Sequence, residues 1–132
     1  MAPISVTLEH QRDPAVGVVS LIGDHDTFSS VRLENELAVL LDGGMRVVVD
    51  LRDASFVDSQ TLSVLLSARH HAEELELGFT VALDDHEYTH VHRLLDLTGL
   101  RSTFAIFRTL EEATAAARAG QTGGARIRTR ST

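Results

Sequence analysis

The sequence predicts an α/β domain, a mixed β-sheet flanked by about four α-helices. Three observations carry that expectation. Two strand-like runs open the chain, helical and strand-like periods then alternate to its end, and a length of 132 residues suits one domain with one sizeable core. Hydrophobic side chains at 43% and charged ones at 23% are the balance of a soluble globular protein.

Residues 4–9 (ISVTLE) alternate apolar with polar, and residues 17–22 (GVVSLI) form a β-branched run after the turn residues Asp13 and Pro14, so a hairpin is expected. Past Gly23, Asp26 or Thr27 offers an N-cap. Leu33, Leu37, Leu40 and Leu41 then recur at helical spacing until Gly43 and Gly44. The continuous apolar run RVVVDL at 46–51 reads as a buried central strand. From Ser59 the period is helical again, with Leu62, Leu65 and Leu66 beside a second row of Leu65, Ala68, Ala72 and Leu75. Gly78 opens the strand FTVAL. Tyr88, Val91, Leu94 and Leu95 mark a third helix, which Gly99 terminates with Leu100 folding back over it. A short strand at 104–107 precedes Thr109 and Glu112, spaced as a capping box, and an alanine-rich helix to Gly120. The expected organisation is one domain over residues 1–119 and a disordered, arginine-containing tail over 120–132.

The composition removes whole classes of chemistry. Cysteine is absent, and with it disulfides, thiolate metal sites and cysteine nucleophiles. Lysine is absent too: arginine supplies all 12 basic charges, so Schiff-base chemistry and the lysine-bearing phosphate loop are excluded. No apolar run is long enough to span a membrane, and the start MAPISVTLEH does not read as an export signal, so a cytoplasmic protein without a membrane partner is expected. Residues 1–119 hold nine Arg against 19 acids (9 − 19 = −10), while 120–132 hold three Arg and no acid. A domain of that sign repels phosphate backbones, which argues against nucleic acid as a partner.

The informative segment is VVVDLRDASFVDSQTLSVLL, in which a buried strand runs through a short loop to Asp58 and Ser59 at the mouth of a helix. Free N–H groups and the positive end of the helix dipole lie at such a start, so a phosphate on Ser59 would be favoured locally by roughly 1 kcal/mol. The plain alternative is that Asp58 simply caps the helix and Ser59 fills its first position.

These residues resemble the core motif of the STAS domain of bacterial anti-sigma factor antagonists, a buried strand, a phenylalanine and Asp-Ser-Ser-Gly-Leu. Residues 23–26 (GDHD) resemble the family's Gly-Glu-Leu-Asp, and VHRLLDLTGL at 91–100 resembles its third helix with the closing Thr-Gly-Leu. The resemblance covers roughly residues 4–118 in order. It implies a STAS-like mixed sheet with four helices that catalyses nothing and needs no cofactor. It also implies that Ser59 is the residue phosphorylated by a partner anti-sigma factor with serine kinase activity. In the unphosphorylated form such a protein binds the anti-sigma factor and frees a sigma factor; a phosphatase is a further candidate partner. Phe56, Asp58 and Ser59 match the pattern, and Asp26 matches the acidic residue near the phosphorylation site. Gln60 and Thr61 depart from it, standing where serine and glycine are usual. They are expected to put more side chain on the docking surface; Thr61 is alternatively a second acceptor or a packing residue.

Ser59, Ser63, Ser67, His70 and Glu74 fall on one stripe of the second helix, opposite its apolar rows. The small hydroxyls beside Ser59 make Ser63 and Ser67 candidate partner-binding residues together with Asp26, Asp58, Gln60 and Thr61, although an ordinary solvated face is the commoner meaning of such a stripe. One alternative is a STAS scaffold or regulatory subunit of a stress-signalling or transport complex, without a Ser59 switch. The remote one is a zinc hydrolase, because His86, Glu87 and His90 in HEYTH satisfy H-E-x-x-H on a predicted helix. That stretch lacks a third ligand and the glycine and histidine of metzincins, so no metal site is expected. His86, Glu87 and His90 should be surface residues at the start of helix three. Asp24, His25 and Asp26 carry ligand-type side chains, but Asp26 suits the cap of helix one. The neighbours His70 and His71 point different ways.

Overall fold

A computed structural model describes residues 4–9 and 14–123. Strands β1 (Ile4–Glu9) and β2 (Val16–Leu21) form the expected hairpin, antiparallel with Ile4 opposite Leu21. Asp13, expected in its turn, lies outside the described residues. Beside β2 come β4 (Arg46–Asp50), β6 (Phe79–Ala82) and β7 (Ile106–Phe107), all parallel, in the order β1-β2-β4-β6-β7. Two short strands that the apolar pattern did not suggest, β3 (Gly23–His25) and β5 (Ala54–Val57), pair in parallel as a separate ribbon. The segment read from sequence as a plain loop after β4 is therefore partly strand.

Four helices complete the domain: α1 (Thr27–Asp42), α2 (Ser59–Glu74), α3 (His90–Thr98) and α4 (Leu110–Arg118). The central strand β4 is buried on both faces, which explains its unbroken apolar run. Val47 and Val49 join Leu33, Leu37 and Leu41 of α1 and Leu62 and Leu65 of α2 in the large core. Val48 faces the other way, into a smaller core with Val16, Val18 and Ala82 under Ala113 and Ala117 of α4. The α4 helix thus sits alone on the far side of the sheet from α1 and α2. Two features bring it close. The buried Thr80 hydroxyl donates to the Ala113 carbonyl at 2.7 Å, and Gly78 leaves room for the Ala117 backbone, whose oxygen would stand 1.9 Å from a Cβ at that position.

Several sequence expectations need correction at their edges. Leu75 caps the end of α2 and is exposed, so it is not part of the buried row. Tyr88 precedes α3 and is 67% exposed; the inward residues of α3 are Val91, His92 and Leu95. Gly99 takes the left-handed C-cap at φ 73°, as expected. The last strand is two residues long. The chain stays with the fold past Ala119: the Phe79 N–H donates to the Gln121 carbonyl at 2.9 Å and Arg69 Nε to the Thr122 carbonyl at 2.8 Å. The rest of the expected tail, 124–132, lies outside the described residues.

Candidate functional site

The site is built where the β3–β5 ribbon ends. His25 pairs with Val57, and the Asp58 N–H donates to the His25 carbonyl at 3.1 Å, so the chain leaves the two strands side by side. The next residue on each strand is an aspartate, and each aspartate opens a helix. Asp26 accepts from the Ser29 N–H at 3.3 Å while its own N–H donates to Ser29 Oγ at 3.0 Å, a reciprocal cap for α1. Asp58 accepts from the Thr61 N–H at 2.8 Å and caps α2. The register therefore places two helix N-termini and two carboxylates next to one another, with Ser59 as the first residue of α2.

Ser59 and Gln60 are exposed, and the Ser59 hydroxyl donates no hydrogen bond to the described residues. Ser63, Ser67, His70 and Glu74 are exposed along the same side of α2, with His70 Nε2 3.6 Å from Glu74 Oε2. Asp26 is exposed and Asp58 half-buried. Of the readings open for Thr61, the structure bears out the packing residue and overturns the place on the docking surface. Thr61 is 0% exposed and its hydroxyl donates to Asp58 Oδ1 at 2.8 Å, so it adds nothing to the docking surface and offers no accessible second acceptor. The reason is visible in the spacing, since Thr61, Leu65, Ala68 and Ala72 share one face of α2.

Phe56, in β5 three residues before Ser59, stacks on His90 at the start of α3 with ring centroids 4.4 Å apart. That contact ties α3 to the ribbon and fixes the strand that presents Ser59. It also shows what became of HEYTH. Thr89 caps α3 with His92 answering as its third residue, so the helix begins at His90 and leaves His86 and Glu87 in a bend. The one-face, i to i+4 arrangement that a helical zinc motif needs is not formed. His86, Glu87 and His90 are surface residues, but only His90 belongs to the helix. Among the described residues no three His, Asp or Glu side chains are grouped to hold a metal ion, and no helix is long and apolar enough to cross a membrane.

Two buried residues support the site: Asp50, which the sequence did not single out, and His25, which it offered only as a ligand-type side chain between Asp24 and Asp26. Asp50, buried at the end of β4, is held bidentate by Arg52 at 2.9 and 3.0 Å, which anchors the turn into β5. His25 is 1% exposed at the end of β3. Its Nε2–H donates to the Ile22 carbonyl at 3.1 Å, and its Nδ1 lies 3.2 Å from the Ser29 hydroxyl, which also reaches the Asp26 carbonyl at 3.1 Å. Burial pushes the imidazole below its usual 6.5, against the opposing pull of the Ile22 carbonyl, Asp26 and Asp24. The unfolded chain then binds a proton that the folded one refuses. Stability is complete above pH 6.5 and declines as pH falls through that value toward the folded pKa. As pH falls below 6.5 the wild type is expected to lose stability relative to His25→Leu, read by urea unfolding across pH. Parallel pH profiles for the two proteins would refute this.

Comparison with known proteins agrees with the geometry. The STAS domain family matches residues 7–113. The chain is 31% identical over 106 residues to an anti-sigma F factor antagonist of Paenibacillus polymyxa, covering 79% of this chain and 86% of that one. It is 28% identical over 122 residues to the anti-sigma-F factor antagonist RsfB of Mycobacterium tuberculosis, covering 91% and 96%. The crystal structure of an anti-sigma factor antagonist from Mycobacterium paratuberculosis superposes with a TM-score of 0.71 at 29% identity, over 88% of this chain and 95% of that one. With the Asp58–Ser59 helix start, helices α1 to α3 and strands β2 to β7 all falling inside the matched segment, the chain belongs to the STAS domain family.

Proposed function

We propose that this protein is a cytoplasmic anti-sigma factor antagonist, a binding module without catalysis of its own, whose partner is an anti-sigma factor with serine kinase activity. Unphosphorylated, it binds that partner and releases a sigma factor; phosphate on Ser59 ends the binding. The observation that carries the reading is the exposed Ser59 hydroxyl at the first position of α2, between the capping carboxylates Asp58 and Asp26. Nearby residues fit a protein partner: Gln60, Ser63 and Ser67 extend an uncrowded face along α2. The relatives' names supply the partner class. The domain's acidic balance supports a protein partner over nucleic acid, and a phosphatase would reset the switch.

A pull-down from the native cell, followed by mass spectrometry after incubation with ATP, tests this. Recovery of a kinase-fold anti-sigma factor and phosphate on Ser59 is the expected result. Recovery of other STAS proteins or transporter subunits, with Ser59 unmodified, would replace it with the scaffold reading.

A further inference from the structure

The outer side of α3 carries a hollow that neither the cap of that helix nor the packing of the core requires. It measures about 740 Å³ and is lined by Tyr88, Thr89, His90, Arg93, Asp96 and Leu97. His90, Arg93 and Leu97 follow one another at spacings of three and four, so they share the face of α3 opposite buried Val91 and Leu95. Two features set the hollow apart from ordinary surface. Leu97 is 73% exposed and Tyr88 67%, which places two of the three most exposed large apolar side chains among the described residues at its edge. Beside them stands an uncommitted cation. The other exposed arginines among the described residues are each held by a carboxylate, Arg32 by Glu36, Arg52 by Asp50, Arg101 by Asp96 and Arg108 by Asp85. The Arg93 guanidinium has no hydrogen bond or ion pair to the described residues. Asp96, the one acid lining the hollow, is engaged elsewhere: it accepts from Arg101 Nε at 2.6 Å and from the Tyr88 hydroxyl at 2.5 Å, and the second contact holds the tyrosine ring at the rim.

We infer that this hollow is a second docking point for the anti-sigma factor and takes an acidic segment of that partner, one in which an apolar side chain accompanies a carboxylate. The inference rests on the Ser59 reading above. Charge complementarity selects the occupant. Arg93 is free to hold a carboxylate in a bidentate pair, and the exposed Tyr88 and Leu97 surfaces cover an apolar neighbour, in a domain whose overall charge otherwise repels acids. Continuity with the Ser59 face selects the protein that brings the segment. His90, in the wall of the hollow, stacks on Phe56 at 4.4 Å, and Phe56 is 37% exposed and lies three residues before Ser59. A partner seated over Ser59 thus meets the hollow across Phe56. The contact uses no atom of Ser59, so it adds affinity and register while the phosphate on Ser59 remains the switch.

The test is calorimetry of the full chain with the anti-sigma factor recovered in the pull-down. Arg93→Glu is expected to weaken binding roughly tenfold or more, and Leu97→Ser roughly threefold. Arg118→Glu, the same change of charge on α4 beyond the sheet, should leave Kd within about twofold. Arg93→Ala should flatten the dependence of Kd on salt. In a Ser59→Ala background the loss from Arg93→Glu should be the same, because the two contacts are separate. Circular dichroism and thermal melting confirm that each variant is folded; these exposed positions leave the core untouched. A Kd for Arg93→Glu that matches wild type, or an equal loss in Arg118→Glu, overturns this inference alone. So does a change from dimer to monomer on sedimentation of Arg93→Glu with the partner Kd unaltered, which would make the hollow a contact between copies of this chain. Wild-type protein that binds no anti-sigma factor overturns both the inference and the reading on which it rests.

Discussion

Ser59→Asp is expected to remain folded and to bind the anti-sigma factor roughly 30-fold to 1,000-fold more weakly than wild type, a loss of about 2–4 kcal/mol. Within the free domain the added charge sits at the start of α2, where uncovered N–H groups and the helix dipole tolerate it. Across an interface the balance reverses. A surface that accepts a small neutral hydroxyl must desolvate a carboxylate or a phosphate, and an unpaired buried charge costs several kcal/mol. The phosphate itself brings about −1.5 to −2 charges beside Asp58 and Asp26, strengthening the same effect. Ser59→Ala should bind as wild type and resist release by the kinase. Calorimetry decides it: equal affinity for Ser59→Asp and wild type would end the switch reading.

The second large effect lies on the opposite side of the molecule. Gly78→Ala should destabilise the fold by about 2–4 kcal/mol and lower Tm by on the order of 10 °C. The new methyl group would meet the Ala117 oxygen at 1.9 Å and its carbonyl carbon at 2.7 Å, which are backbone atoms that no rotamer change can move aside. Retreat of α4 would stretch the Thr80–Ala113 hydrogen bond and open the small core around the buried residues Ala113 and Ala117. The folded fraction should still bind the partner normally, because α4 packs on the face of the sheet away from α2. Urea unfolding of Gly78→Ala within half a kcal/mol of wild type would contradict this.

The elements legible in the sequence are those with a sustained hydrophobic period. The Leu33-Leu37-Leu40-Leu41 row of α1 and the valine run of β4 each repeat often enough to declare themselves. β3 and β5 are three and four residues long, with burial that runs half-buried, exposed, buried in one and buried, exposed, exposed, buried in the other. Neither carries a strand-like alternation, and only their pairing makes them strands. The buried place of His25 is illegible for the same reason: within GDHD it reads as a ligand-type side chain between two acids, and its inward direction is set by the register with Val57. The packing role of Thr61 is legible, since it lies on the row of Leu65, Ala68 and Ala72, whereas its place in the motif points to the surface. The start of α3 depended on a competition that spacing cannot settle. Thr89 with His92 captured the cap, and HEYTH was divided between bend and helix.

The small β3–β5 ribbon works as a length gauge. Its register aligns His25 with Val57, so Asp26 and Asp58 fall level and both helices start in phase. Adding one residue between Val57 and Ser59 would turn the side chains of α2 by about 100° relative to the ribbon, carrying Ser59 off its face and swinging polar residues into the core. The step from Val57 to Ser59 is thus far less tolerant of a change in residue number than the ribbon is at exposed Ser55, where the register already shifts by one residue. Family members that share the switch should accordingly keep the number of residues between the end of β5 and the start of α2 while varying in composition there.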